Sequence, residues 1–266
     1  MSRIESFLDV THRDPVSALT AWRLWTMLGW NDIRQRYRRS TLGPFWITLS
    51  VAFFIGVLGV IYSRIFHVNA ETYLPFLTVG YVTWGFISQV INESCGALQE
   101  GERLIKQIRL PYGLYVLRVV WRNFIIFLHT IVIFIPVALL FRVSPGLTAF
   151  LVVPGLVLLL ANLGWVALTL AILAARFRDI TQIVATLTQI MLFATPIMWP
   201  VSTLGGSTWI AEVNPVYHLI ELVRAPLLGA APTPLSWAVA IGMLAAGSAL
   251  ALLLLNRAAK RIVFWV

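Results

Sequence analysis

The sequence predicts an all-α membrane protein. It reads as six transmembrane helices, with an N-terminal amphipathic helix in the interface, a short cytoplasmic helix and an outer re-entrant hairpin. Three observations predict this. The chain is 59% hydrophobic and only 12% charged, whereas soluble domains run near a quarter charged. Six stretches reach the roughly 20 apolar residues a helix needs to cross a bilayer core: residues 44–66, 72–94, 113–141, 147–174, 180–199 and 235–256. Lys and Arg are also shared very unequally between the connecting segments.

Residues 1–43, 95–112, 175–179 and 257–266 hold 7, 3, 2 and 3 Lys/Arg. Arg118 and Arg122, early in the third span, bring that side to 17 of the 20 cations, leaving Arg64, Arg142 and Arg224 on the other. Cations stay cytoplasmic during insertion, so both termini are expected inside. The asymmetry also accounts for the formal charge of +9 without a polyanionic ligand. A nucleic-acid patch does not fit so apolar a chain. Lone Cys95 allows no intrachain disulfide. No cleavable signal peptide is expected, because residues 1–43 lack a short apolar core before a small-residue site.

Residues 1–43 form the cytoplasmic N-terminal segment, within which 17–36 read as the interface helix. Thr20, Arg23, Asn31 and Arg34 make a narrow polar strip, and Leu19, Trp22, Leu24, Trp25, Leu28 and Trp30 fill the rest. Such a helix suits the interface plane; a buried packing helix is the other reading. Arg34, Arg36, Arg38 and Arg39 then precede the first span, around Tyr37. Gly43 and Pro44 break the helix, and Pro44 suits the opening turn of the next. Phe53 and Phe54 in the first span, and Tyr81 and Trp84 in the second, are either lipid-facing and packing residues or the lining of a path for a sugar chain.

Between spans two and three, Leu104, Ile105 and Ile108 sit at helical spacing, ringed by Glu100, Glu102, Arg103, Lys106 and Arg109. A small apolar knob with a charged rim suits docking in a groove on another protein; an ordinary membrane-surface loop is the alternative. His129 in the third span is expected to be hydrogen-bonded within the bundle, and Pro136 to kink that helix. Arg176-Phe-Arg-Asp-Ile180 makes a tight turn in which Asp179 can cap the fifth span. Gln182 and Gln189 on that span share a face. Amides facing lipid are costly, so this face is expected to meet protein or a wet conduit.

Residues 200–234 hold two apolar pieces too short to cross. Asn214 and Pro215 read as a helix cap and first turn, with Pro226 ending the helix. Between two spans this reads as the outer re-entrant or interfacial hairpin. Within it His218, Glu221 and Arg224 are spaced to pair with one another or hold a gate closed, beside Tyr217. Residues 257–266, with Arg257, Lys260 and Arg261, read as a cytoplasmic tail. The sequence shows no catalytic constellation, no Cys/His metal spacing and no G-x-x-x-x-G-K-[ST] phosphate loop. The chain is therefore read as a non-enzyme that hydrolyses no ATP itself.

From about Trp22 onward the chain resembles the ABC-2 type polysaccharide-export permeases, membrane subunits that export O-antigen, capsule or teichoic-acid polymers. The resemblance rests on Asp32-Ile-Arg-Gln-Arg-Tyr-Arg-Arg-Ser-Thr-Leu-Gly-Pro-Phe-Trp46, the Arg176–Ile180 turn and Asn214-Pro-Val-Tyr-His-Leu-Ile-Glu-Leu-Val-Arg224. It implies a homodimer in the bacterial inner membrane, working with two copies of a separate ATPase that binds ATP and Mg; no cofactor is implied in this chain. By this resemblance residues 98–109 are a coupling helix, whose Leu104, Ile105 and Ile108 enter the ATPase cleft. Arg34 to Arg39 then lie at the inner mouth, where a lipid-linked pyrophosphate can bind, although orientation signalling explains the same arginines. An ABC-2 permease for a small lipid or drug is the nearest alternative. A membrane-embedded glycan-modifying enzyme is a further one, though the chain's intramembrane acids and histidines are dispersed.

Overall fold

The computed structural model describes residues 15–38, 43, 45–108 and 110–266, without the side chains of 15 and 16. Its helices, in order, are α1 (Pro15–Thr20), α2 (Trp22–Tyr37), α3 (Phe45–Ile65), α4 (Ala70–Ser94), α5 (Ala97–Glu100), α6 (Glu102–Gln107), α7 (Tyr112–Thr130), α8 (Phe134–Leu140), α9 (Val152–Arg176), α10 (Asp179–Ala194), α11 (Trp209–Glu212), α12 (Pro215–Leu227) and α13 (Pro234–Trp265). Short 3₁₀ turns join α7 to α8 and lead into α9. No strand occurs among the described residues. Five helical segments are long and apolar enough to cross a membrane: Phe45–Ile65, Ala70–Ser94, Tyr112–Leu140, Gly146–Arg176 and Pro234–Trp265.

The sixth expected span differs. Residues 180–199 are helical only as far as Ala194, so α10 has 16 residues. The residue before a proline is driven out of the helical region. Thr195, which precedes Pro196, accordingly adopts φ −96°, ψ 140°. Residues 195–198 continue as a buried non-helical stretch. Other boundaries shift for comparable local reasons. Pro136 clashes with the carbonyl four residues earlier, and the backbone tightens to a 3₁₀ turn at Ile131–Ile133. Gly101 divides the helix expected at 98–109 into α5 and α6, and Ile108 is already extended at φ −130°, ψ 131°. Pro226 sits inside the last turn of α12 rather than ending it, and Gly229 follows at φ +88°, a conformation open to glycine. Residues 257–265, expected in a tail, continue α13 without a break.

The bundle is built around α4, which is buried along most of its length and packs against α3, α7, α9, α10 and α12. It starts at Asn69, whose side chain accepts from the Glu71 amide at 2.9 Å, with Glu71 favourably placed in the first turn. α3 is mostly exposed and buries Ile55, Gly59 and Ser63. α9 and α13 form the most extensive helix pair. Gly247 lies against the Trp165 indole so closely that a Cβ would stand 2.1 Å from ring carbon Cε2. Buried Asn162 fastens the same pair. It donates to the Ala240 carbonyl at 3.0 Å and accepts from Trp165 Nε1 at 3.0 Å. These bonds matter because a buried amide left without them costs about 1–3 kcal/mol.

Gly247→Ala is expected to destabilise the detergent-solubilised protein by about 1–3 kcal/mol, the range for overpacking, and to lower its thermal unfolding midpoint. Gly242→Ala is the control, because a Cβ there meets open space. Equal midpoints for the two variants would mean that the α9–α13 contact is not close-packed at Gly247.

Candidate functional site

Asp32 and Arg36 stand four residues apart on α2, and Arg118 and Arg122 four apart on α7, so each pair shares a helix face. α2 lies along α7: a Cβ on Gly29 would be 3.0 Å from Trp121 and 3.1 Å from the Arg118 carbonyl, and Trp25 meets Trp121 edge-on at 5.8 Å. This approach brings the two charged faces together. Arg118 donates from Nε to Asp32 Oδ2 at 2.6 Å and pairs with Oδ1 through Nη2. Arg122 donates from Nη1 to Asp32 at 3.0 Å and from Nη2 to Glu93 at 2.8 Å. Glu93, near the end of α4, also accepts from Arg36 Nη2 at 2.9 Å and Asn123 Nδ2 at 2.6 Å. Glu100 on α5 stands 4.0 Å from Arg122.

Three carboxylates thus face three guanidinium groups across four helices. The Arg122 side chain is 7% exposed and Arg36 43%, so the network runs from the packed interior to the surface. A buried guanidinium is tolerated only when carboxylates hold it, and removing one partner of a buried pair costs about 3–5 kcal/mol. The chemical capacity of the arrangement is therefore mechanical: it binds the N-terminal helix, the end of α4, the loop after it and α7 into one unit.

Sequence reasoning treats Arg118 and Arg122 as charge-count residues and leaves Asp32, Glu93 and Asn123 unassigned. The available signal is the four-residue spacing in each helix, together with a scarcity of acids that makes every one conspicuous. Of the arginine cluster, only Arg36 joins the network; Arg34 and Arg38 are exposed, and Arg39 lies outside the described residues. Tyr37 is partly buried, with no partner for its hydroxyl among the described residues. Burial pushes its pKa up.

The loop between α4 and α7 divides the expected docking knob. Ile105 is buried in the core cluster and Leu104 packs partly against it. Ile108 is exposed, together with Glu102, Arg103 and Lys106. Lys106 donates to Glu102 at 2.6 Å, and this bond and charge hold the Glu102 carboxyl below its ordinary pKa.

Tyr81 and Trp84 line one cavity of about 190 Å³ between α3, α4 and α7, with Leu192 of α10 at its edge. Phe54 packs on Tyr81 at 4.8 Å between ring centroids. The other expected lining residues do not join them. Phe53 is 74% exposed, and Gln182 and Gln189 are exposed along α10.

At the opposite end of α4, Asn214 caps α12, accepting from the amides of Val216 and Tyr217, and Pro215 occupies the first turn. Arg224 is 1% exposed. It donates to Glu221 at 2.7 Å and to the Pro196 carbonyl at 2.7 Å, and its guanidinium lies 4.0 Å from the Phe76 centroid and within 5.9 Å of Tyr217. His218 does not join this pair. Its ring nitrogens reach Ser236 Oγ at 3.0 Å and the Glu212 carbonyl at 2.7 Å. His129 is likewise held within the bundle, 2.7 Å from Thr48 Oγ1.

Comparison with known proteins gives a consistent set. The family model described as ABC-2 type transporter matches residues 23–228, from α2 to the end of α12. An O-antigen export system permease protein, RfbA, of Myxococcus xanthus is 26% identical over 201 residues, covering 73% of this chain and 76% of that protein. Two proteins of the same description from Klebsiella pneumoniae are 24% identical over 196 residues and 23% over 194, each covering 71% of this chain and 74% of its own length.

Glu93→Leu removes one of the two carboxylates that accept from the buried Arg122 guanidinium and is expected to cost about 3–5 kcal/mol. The double variant Glu93→Leu with Arg122→Met should recover a large part of that loss. Thermal unfolding of the wild type, Glu93→Leu, Arg122→Met and the double variant in detergent gives the coupling energy, and a coupling below roughly 0.5 kcal/mol would remove the network from the account of the fold.

Proposed function

We infer that this chain, which belongs to the ABC-2 type transporter family, is the membrane-spanning permease subunit of an ATP-driven exporter of a lipid-linked polysaccharide. The observation that carries this reading is the likeness to three O-antigen export permeases, each matched over more than two thirds of both chains. In this reading the protein sits in a bacterial inner membrane as one of two copies, with both termini cytoplasmic. The concentration of 17 of 20 cations in four segments supports that orientation. α10 supplies the sixth crossing: its 16 residues rise about 24 Å, and the extended stretch after it adds the rest of a roughly 30 Å core.

ATP is hydrolysed on a separate partner subunit, two copies per transporter. Cleft closure there moves α5 and α6 through the exposed face of Glu102, Arg103, Lys106 and Ile108. Glu100 and Arg122 pass the displacement to α4, α7 and the N-terminal helix. Arg34 and Arg38 are exposed and pair with no carboxylate among the described residues, which leaves their guanidinium groups available to a pyrophosphate. The segment 200–234 forms the re-entrant outer hairpin. Buried Arg224, held by Glu221, fastens that hairpin on α4 through the Phe76 ring.

Deleting the chain from a polymer-producing host is expected to abolish surface polymer and leave lipid-linked polymer inside. Unchanged surface polymer would sink the export reading. Ile108→Asp is expected to lower export at least about tenfold, the scale of one lost apolar contact of 1.4 kcal/mol or more, with the subunit still in the membrane. Normal export by this variant would remove the loop from the coupling role.

A further inference from the structure

α13 is longer than a bilayer crossing requires. Its 32 residues, Pro234–Trp265, rise about 48 Å, against a hydrocarbon core of roughly 30 Å. Pro234 to Leu255 carries no charged side chain and accounts for about 33 Å of that rise. Charge begins at Arg257, so the surplus lies at the C-terminal end. That end is packed rather than frayed. Ala258, Ala259 and Ile262 are buried in the same core cluster as Ile105 and Tyr112, and the Tyr112 hydroxyl donates to the Ala259 carbonyl at 3.2 Å. α6 accordingly packs against α13. The Arg176 guanidinium covers the Trp265 ring at 5.6 Å, which ties the tip to the turn before α10. The opposite face is exposed. Arg257, Lys260, Arg261 and Phe264, at i, i+3, i+4 and i+7, make one stripe, and Phe264 is 85% exposed.

We propose that the tip of α13 is a second docking surface for the partner ATPase, with Phe264 entering an apolar pocket on that subunit and Lys260 and Arg261 meeting carboxylates at its rim. Height decides against a lipid occupant. With the uncharged stretch filling the core, Arg257 stands about 3 Å past Leu255, at headgroup level, and Lys260 and Arg261 about 8 and 9 Å past it. Phe264 stands about 13 Å past it, whereas the headgroup layer adds about 5–8 Å on each side of the core. A tilt of about 20° lowers the ring by under about 1 Å. The composition matches that of α6 and the residue after it, where exposed Ile108 accompanies Arg103 and Lys106. Because Ile105 and Tyr112 join the loop to α13, a partner seated on both moves them as one body. α13 then carries the motion to α9, its most extensive neighbour. The surface rests on the reading of a separate ATPase and deepens it.

The test uses the assembled transporter in membranes of cells that co-express the chain with its ATPase. The photo-reactive aromatic p-benzoylphenylalanine replaces Phe264 or, as a reference, Ile108. Irradiation of the Phe264 probe is expected to give an adduct with a protein whose peptides include a G-x-x-x-x-G-K-[ST] loop, the mark of an ATPase. Arg261→Glu should lower that adduct at least about fivefold and Arg261→Gln less, because a like charge repels where a neutral group only fails to attract. Phe264→Asp, a change at an exposed position, is expected to lower the ATPase retained on the purified permease at least about tenfold, the effect of losing one interface anchor, at an unchanged membrane level. An ATPase adduct from the Ile108 probe, with only lipid, a second copy or the same chain captured by the Phe264 probe, overturns the α13 surface and leaves the ATPase reading intact. Full retention by Phe264→Asp does the same. No ATPase adduct from either probe, with none retained on the unaltered permease, overturns the ATPase reading and this surface with it.

Discussion

The structure depends on how it keeps ionised groups within a bundle that has few charges to spare. Arg122 is the central case. Its guanidinium is almost fully buried and reaches carboxylates on two other helices, Asp32 on α2 and Glu93 on α4. Withdrawal of a single ion from water costs several kcal/mol, and attraction in the interior compensates only when geometry and hydrogen bonding are good. Sharing acids between Arg36, Arg118 and Arg122 satisfies that condition. It also fixes where α2 must lie. The N-terminal helix is thereby part of the bundle rather than an appendage resting on it.

The opposite end of α4 repeats the principle with different parts. Arg224, paired with Glu221 one turn earlier on α12, reaches from that helix to the Pro196 carbonyl and the Phe76 ring. A Cβ on Gly80 would stand 3.1 Å from Nη1 of the same guanidinium. The central helix is thus gripped near both ends by guanidinium groups from neighbouring elements. Between them its packing is mainly apolar or aromatic, with Thr78 and Thr83 also fully buried. Polar atoms along the middle of a multi-pass membrane protein need internal partners, and Asn162, His129 and Thr48 have theirs. Asn123 Oδ1, Thr83 Oγ1 and Thr169 Oγ1 are buried without a partner among the described residues.

Much of the architecture was legible before any coordinates. The apolar stretches gave five of the six expected spans as long helices, since length and hydropathy are local properties. The Asn214 cap with Pro215 in the first turn was equally legible, because capping is settled by adjacent residues. The misread boundaries are also local in origin. Thr195 before Pro196 and Gly101 in the loop each carry a signal that competes with hydropathy, and the competition was decided against the longer helix. Ile105 shows a different limit: its spacing marks it as one of an apolar trio, but spacing does not say whether the trio faces a partner or its own core.

What the sequence determined by itself was class: helices long and apolar enough to cross a membrane, a consequence of side-chain transfer energies summed over short windows. Tertiary structure decided which charges meet. Asp32 finds Arg122 across 90 positions and Glu93 finds Arg36 across 57, distances over which no periodicity or composition rule acts. A carboxylate and a guanidinium become partners only when packed helices bring them within hydrogen-bond reach, and that depends on the whole bundle at once.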